Sequence, residues 1–336
     1  MKTVLITGVA GMIGSHLADE LLAKGYKVLG LDNLSVGKRE NIAQNLANPR
    51  FTFKKVDIRD YKKLQDSCKG IHLDAIVHLT ASKKISEEGS ALDVLTNNVR
   101  PTENTLALAQ KKKCKFILGS TSDVYGVSAD IPFKEEGNLL LGAPTAKRWA
   151  YAASKMYAEH LAFAYYKERN VPVIVLRYFG AFSPRASFSW RGGHIPLFID
   201  AVLQGRDIII HGNGRQTRSM AYISDVISGT VLALENKKAV GNIFNIGSDE
   251  ELSVIASAHL IKKLAGAGTK TKIRFVPIKK IFGDYREIKR RVPSLANSKR
   301  ILGYRPKVSL QEGLAITIKA RREWIRENAD KIRRKN

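Results

Sequence analysis

Cysteine is scarce in this chain. Cys68 and Cys114 are its only two in 336 residues, too few for a disulfide framework and in keeping with a reducing, cytoplasmic setting. Long apolar runs are missing too. No stretch approaches the ~20 residues needed to cross a bilayer, so no membrane association is expected. The start, 1–22, is apolar, but glycines punctuate it and no basic segment precedes an uninterrupted apolar core, which argues against a signal peptide. There is no internal repeat and no low-complexity tract, and no metal site is expected. Acidic residues are few: 31 against 56 basic ones leave a net charge of +25. The basic residues are scattered (Lys111–Lys113, Lys279-Lys280, Arg290-Arg291, Arg333–Lys335) and form no dense tract interleaved with aromatics. A solvated basic surface is therefore favoured over nucleic-acid binding.

What is present is alternation. Apolar, β-rich runs at 3–7, 26–31, 51–56, 75–79, 116–119 and 173–176 read as buried parallel strands. Helical patterns lie between them at 15–24, 61–68, 91–112 and 150–170. This predicts an α/β fold, a doubly wound parallel (Rossmann) sheet over 1–178. After Tyr178 the texture becomes richer in Gly and Pro. Strands at 208–210 and 243–245, and helices at 195–204, 254–265 and 310–329, suggest a smaller α+β substrate-binding lobe over 179–336. Segments near 215–245 are expected to pack back on the sheet.

Gly8, Gly11 and Gly14 fall between the first strand and the first helix. There the chain needs a turn tolerant of positive φ, backbone open to a pyrophosphate, and close helix–strand packing. The helix N-terminus offers N–H groups to phosphate. Asp32 ends the second strand, where a carboxylate can accept both ribose hydroxyls and repel a 2′-phosphate, which favours NAD over NADP. Asp57 ends the third strand; it suits either the adenine amino group or the N-cap of the next helix.

The fifth strand runs into Gly119-Ser120-Thr121-Ser122-Asp123-Val124-Tyr125-Gly126, hydroxyls that fit either a substrate alcohol or ordinary turn chemistry. Tyr151 and Lys155 are four apart and share a helix face. A phenol titrates near ~10, and a cation one turn away would lower that and make a base usable near neutrality.

With Asp32-Asn33-Leu34-Ser35, His78-Leu79, Asn98-Val99, Leu176-Arg177-Tyr178-Phe179, Gly214–Arg218 and Arg290-Arg291-Val292-Pro293 in order, nearly the whole chain resembles the extended short-chain dehydrogenases/reductases that modify sugar nucleotides. The resemblance implies a UDP-sugar substrate, NAD as cofactor, and a homodimer through helices 91–112 and 150–170. It implies cofactor contacts from Gly8, Gly11, Met12, Ile13, Gly14, Asp32, Asn33, Ser35, Gly37, Asp57, Ile58, Leu79, Lys83 (beside the phosphates), Asn98, Tyr151 and Lys155. Tyr151 is the implied base, Thr121 the hydroxyl that meets the sugar, and Arg218 and Arg291 the grip on the diphosphate. Ser122 and Asp123 complete the implied catalytic set, with Gly180 on the substrate side.

The implied first step oxidises a sugar 4-hydroxyl. The outcome then divides. A 4-epimerase is the main expectation, a UDP-glucuronate decarboxylase the alternative, and a 4,6-dehydratase less favoured. Epimerases of the family commonly have a small residue at position 123; decarboxylases and dehydratases have glutamate there, and dehydratases have aspartate where this chain has Ser122. Asp123 is shorter and fits a turn cap equally well. A catalytically idle RNA-binding relative is a remote reading. Gly180, Ser219 and Ser294 depart from the family's Asn, Asp and Asp, and Phe182-Ser183 from its Tyr-Gly. In 188–194 an aromatic could stack on a base or anchor the loop.

Overall fold

The computed structural model describes residues 1–83, 90–188, 192–266, 271–278 and 287–328. Trp190, Lys279-Lys280, the tail from Ala329 and its basic Arg333–Lys335 lie outside them. Seven parallel strands form the central sheet: β1 (Thr3–Thr7), β2 (Lys27–Asp32), β3 (Phe51–Lys55), β4 (Ala75–His78), β5 (Lys115–Thr121), β6 (Val173–Tyr178) and, later in the chain, β10 (Ile243–Ile246). Their order is β10-β6-β5-β4-β1-β2-β3. Order reverses beside β1, and in such sheets ligands bind beyond the carboxyl ends of the strands at that point.

Two apolar layers cover the sheet. On one face α1 (Met12–Ala23) and α6 (Ile223–Glu235) bury Leu17, Leu21, Val226 and Val231 with Ile6 and Phe244. On the other, α2 (Tyr61–Ser67), α3 (Ala91–Lys112) and α4 (Trp149–Arg169) bury Leu64, Leu106 and Ala162 against Leu5 and Phe116. Burial on both faces explains why the strands read as continuous apolar runs. Ser90 caps α3 by accepting from Asp93 N at 3.1 Å. Asn170 ends α4 in the left-handed region, φ 54°, as residues after helices often do.

A third core joins α5 (His194–Leu203), α7 (Val254–Ala265) and α8 (Leu310–Glu327) through Ile199, Ile261 and Leu314. Short strands surround it: β7 (Gly180–Phe182), β9 (Thr217–Tyr222), β11 (Glu251–Ser253) and β13 (Arg290–Arg291) form one sheet, and β8 (Ile208–His211) pairs with β12 (Ile273–Val276). A backbone clasp ties this region to the first. Phe133 N donates to Val292 O at 2.9 Å, and Ser294 N donates to Phe133 O at 2.8 Å.

Two expected boundaries move in ways that matter. The first helix starts at Met12, not Ser15, because Gly11 adopts the extended N-cap conformation. The fifth strand continues past Gly119 to Thr121, paired with Tyr178. Ser120 and Thr121 are therefore strand residues rather than turn residues.

Candidate active site

One cleft of about 1390 Å³ runs along the carboxyl edge of the sheet. Gly8, Gly11, Met12, Ile13 and Gly14 line one part, and Thr121, Ser122, Asp123, Tyr151 and Lys155 another. A smaller adjoining cavity holds Asp32, Asn33, Ser35, Gly37, Asp57 and Ile58, with Leu79 shared by both.

The glycine turn is tight. Gly8 has φ +74°, and a Cβ on Gly14 would lie 2.2 Å from Gly8 O, closer than any real contact. No side chain caps α1, so its first-turn N–H groups remain available to an anion. Asp32 is buried, accepting from Ala10 N at 3.0 Å and Leu34 N at 2.8 Å. Burial raises its pKa in spite of those two donors. A Cβ on Gly37 would meet Asp32 Oδ2 at 2.9 Å. A backbone cradle at a helix start beside a buried carboxylate fits the pyrophosphate and ribose of NAD. The helix-capping alternative for Asp57 is corrected: Asp60 caps α2, accepting from Lys63 N at 3.1 Å. Asp57 instead accepts from Arg59 Nε at 3.0 Å. Asn98 stands further back, accepting from Ser82 N at 2.7 Å and donating to Ser154 at 3.0 Å, and so fastens the loop after β4 to α4.

At the other end a buried carboxylate dominates. Asp123 receives Lys83 Nζ at 2.6 Å on Oδ2 and Arg291 Nη1 at 2.7 Å on Oδ1. Burial opposes its ionisation, yet Arg291 and Lys83 hold its pKa far below the usual carboxylate range. The turn-cap alternative for Asp123 is thereby replaced, because the cap is Thr121, whose Oγ1 accepts from Asp123 N at 3.2 Å. Ser122 opens that turn and is buried. Lys83 was expected beside the cofactor phosphates; here it pairs with Asp123 and lies 5.1 Å from the Tyr151 ring centre. Gly180 begins β7, with a Cβ excluded by Met220 and Ser219 O. Arg218 pairs with Glu287 and donates to Ile288 O at 2.9 Å.

Lys155 and Tyr151 lie one turn apart on α4. Lys155 Nζ donates to Gly119 O at 2.8 Å, and burial lowers its pKa to about 8 against the pull of Glu159. The Tyr151 phenol is pushed up, first by burial and then by the Asp123 charge. Arg291 and the Thr121 hydroxyl are what oppose that rise.

Sequence reasoning passed over Glu159, although it follows Lys155 by one turn on a buried helix stripe. Glu159 forms a buried pair with Arg177 at 2.7 Å and accepts from Ser120 Oγ. It also passed over Arg321 and Trp324 of α8, which line the far wall; the Arg321 guanidinium lies 4.1 Å from the Phe188 ring centre and 4.2 Å from that of Trp324. A basic amphipathic helix gives no signal for such a position. Among the described residues no cluster of His, Cys, Asp and Glu could hold a metal, and no helix is long and apolar enough to cross a membrane.

The family model described as GDP-mannose 4,6 dehydratase matches residues 5–317. The UDP-N-acetyl-α-D-glucosaminuronate decarboxylase of Bacillus cytotoxicus is 37% identical over 332 residues, 97% of this chain and 98% of that protein. UDP-glucuronic acid decarboxylase 1 of Xenopus tropicalis is 33% identical across 98% of this chain and 74% of its own. The structure of UDP-glucuronic acid 4-epimerase from Bacillus cereus, in complex with UDP-glucuronic acid and NAD, superposes with a TM-score of 0.84 at 31% identity, covering 96% of this chain and 99% of that one.

Proposed function

Because the chain belongs to the NAD-dependent sugar-nucleotide epimerase/dehydratase family, we propose that it decarboxylates a UDP-linked uronic acid. The observation that carries this reading is the ionised Asp123, held by Arg291 and Lys83 beside Thr121. Position 123 is where decarboxylases of the resembled group carry a carboxylate and epimerases a small residue. The 4-epimerase first expected from the sequence has no need of a carboxylate there. The two decarboxylase relatives support the same choice.

The glycine turn and Asp32 would hold NAD, which when bound supplies the hydride acceptor for C4 and later returns the hydride. This chain's residues handle the protons and charges. Thr121 holds the sugar 4-hydroxyl and Tyr151 takes its proton. Arg291, expected from the resemblance to grip the diphosphate, instead pairs with Asp123 at 2.7 Å beside Thr121; in this reading its planar fork, suited to a carboxylate, holds the C6 group. Asp123 keeps that guanidinium aimed. Once C4 is a ketone, C6 stands β to it. The C5–C6 electron pair moves toward the carbonyl, CO₂ leaves, and negative charge collects on O4; a proton from solvent then takes the place of CO₂ on C5 and restores the ketone. Thr121 and Tyr151 are the donors at the atom where that charge develops.

The test uses UDP-glucuronate and UDP-N-acetylglucosaminuronate labelled with ¹³C at C6. Labelled bicarbonate in the NMR spectrum is the expected result. A 4-epimer that retains its C6 would sink the proposal. We also expect a homodimer through α3 and α4, which expose Leu92, Leu95, Tyr157 and Tyr166; sedimentation velocity measures it.

A further inference from the structure

The decarboxylation scheme gives Lys83 no contact with the sugar, only with Asp123. Lys83 and Arg291 each take one oxygen of Asp123, at 2.6 Å and 2.7 Å. Two cations around one anion leave a single positive charge in excess, and Arg148 adds a more distant one. The three partners differ in access. The Lys83 side chain is 41% exposed, against 15% for Arg291 and 10% for Asp123. Lys83 is thus the cation of the group that an incoming ligand reaches most easily.

Its position is also fixed relative to the chemistry. The oxygen that accepts from Lys83 lies 3.4 Å from Thr121 Oγ1. Lys83 Nζ itself lies 5.1 Å from the Tyr151 ring centre. A sugar with its 4-hydroxyl on Thr121 and Tyr151 brings the substituent on C5 into the same few ångströms. An anionic substituent there matches the excess charge. A neutral hydroxymethyl offers that charge no charge-assisted bond and so gains little from it.

We propose that Lys83 is a specificity-determining residue, which together with Arg291 selects a carboxylate at sugar C6 over a neutral hydroxymethyl group. This rests on reading the cleft as a sugar-nucleotide site that takes a uronate, and it differs from a lysine that serves the cofactor phosphates.

The experiment measures binding to NAD-loaded protein in a Tyr151→Phe background, so that nothing turns over. The ligands are UDP-glucuronate, UDP-N-acetylglucosaminuronate, UDP-glucose and UDP-N-acetylglucosamine. With Lys83→Met added, the Kd of both uronates should rise about 10-fold, the size of one charge-assisted contact. The neutral sugars should bind as before, and Lys83→Arg should recover most of the preference. Equal weakening of all four ligands, or loss of bound NAD, overturns the assignment in favour of the phosphates. Unchanged uronate binding overturns it outright. The decarboxylase reading is judged separately on Tyr151-intact protein. Absence of ¹³CO₂ together with a Lys83-dependent preference sinks that reading and keeps this one. Release of ¹³CO₂ with binding indifferent to Lys83 does the reverse.

Discussion

The nucleotide end and the sugar end of the cleft are made of different materials. At the nucleotide end the working parts are peptide groups: a turn through Gly8, Gly11 and Gly14, an uncapped helix start, and Asp32 held by two backbone N–H donors. At the sugar end they are charged side chains that constrain one another: Lys83, Asp123, Arg291, and Tyr151 under the influence of all three. The first kind tolerates almost no change in shape. The second tolerates changes in shape but responds steeply to a change in charge. The pyrophosphate and ribose of the cofactor are the same whichever sugar is bound, whereas the sugar is what distinguishes one substrate from another.

Four substitutions test that contrast. Tyr151→Phe should lower kcat about 1,000-fold, the scale of a lost general base, while bound NAD and Tm stay as they were; steady-state rates and cofactor absorbance report both. A fall in NAD content would mean the two ends are not separable. Gly14→Ala forces a Cβ to 2.2 Å from a backbone oxygen that cannot step aside. It should release NAD and lower activity on the order of 100-fold, and added NAD should restore part of the rate. Asp123→Asn keeps the shape and removes the charge, so Arg291 loses its aim; a drop of about 10-fold in kcat is expected, with NAD retained.

The smallest effect concerns Lys155 in cofactor-free protein. Its pKa is about 8 folded against 10.5 as the ordinary value. Between those values the unfolded chain binds the extra proton, so this residue's contribution to stability rises with pH across that window. Burying the charged amine destabilises the fold below pH ~8, and the effect fades above. Lys155→Met should flatten the rise in Tm between pH 8 and 10. An unchanged slope would contradict the burial seen here.

The same contrast explains what could be read in advance. The strands and their glycine turn are short-range features; each is declared by apolar runs and by spacing within a dozen residues. Asp32 is legible for the same reason, since its place follows from the end of β2. The pairing of Asp123 with Lys83 and Arg291 joins residues 40 and 168 positions apart (123 − 83 and 291 − 123), and nothing local announces it. Lys155 shows the limit most clearly. Its spacing to Tyr151 was visible, but not that its amine goes to Gly119 O, nor that Thr121 and the distant Arg291 oppose the rise in the phenol's pKa. Glu159 was hidden in a helix whose other buried positions are mostly small or apolar.

The clasp between Phe133 and the Val292–Ser294 segment carries a last consequence. It is made wholly of peptide N–H and C=O groups, so no side-chain exchange short of proline at a donor position can delete it. Arg291 is the neighbour of a residue held by that clasp, so the backbone from which it reaches Asp123 is set by main chain. Lys83 and Asp123 can then be exchanged in descent without loosening the frame around them. Substrate preference in such a scaffold is free to drift one charge at a time, while the distance across which the sugar is gripped is inherited intact.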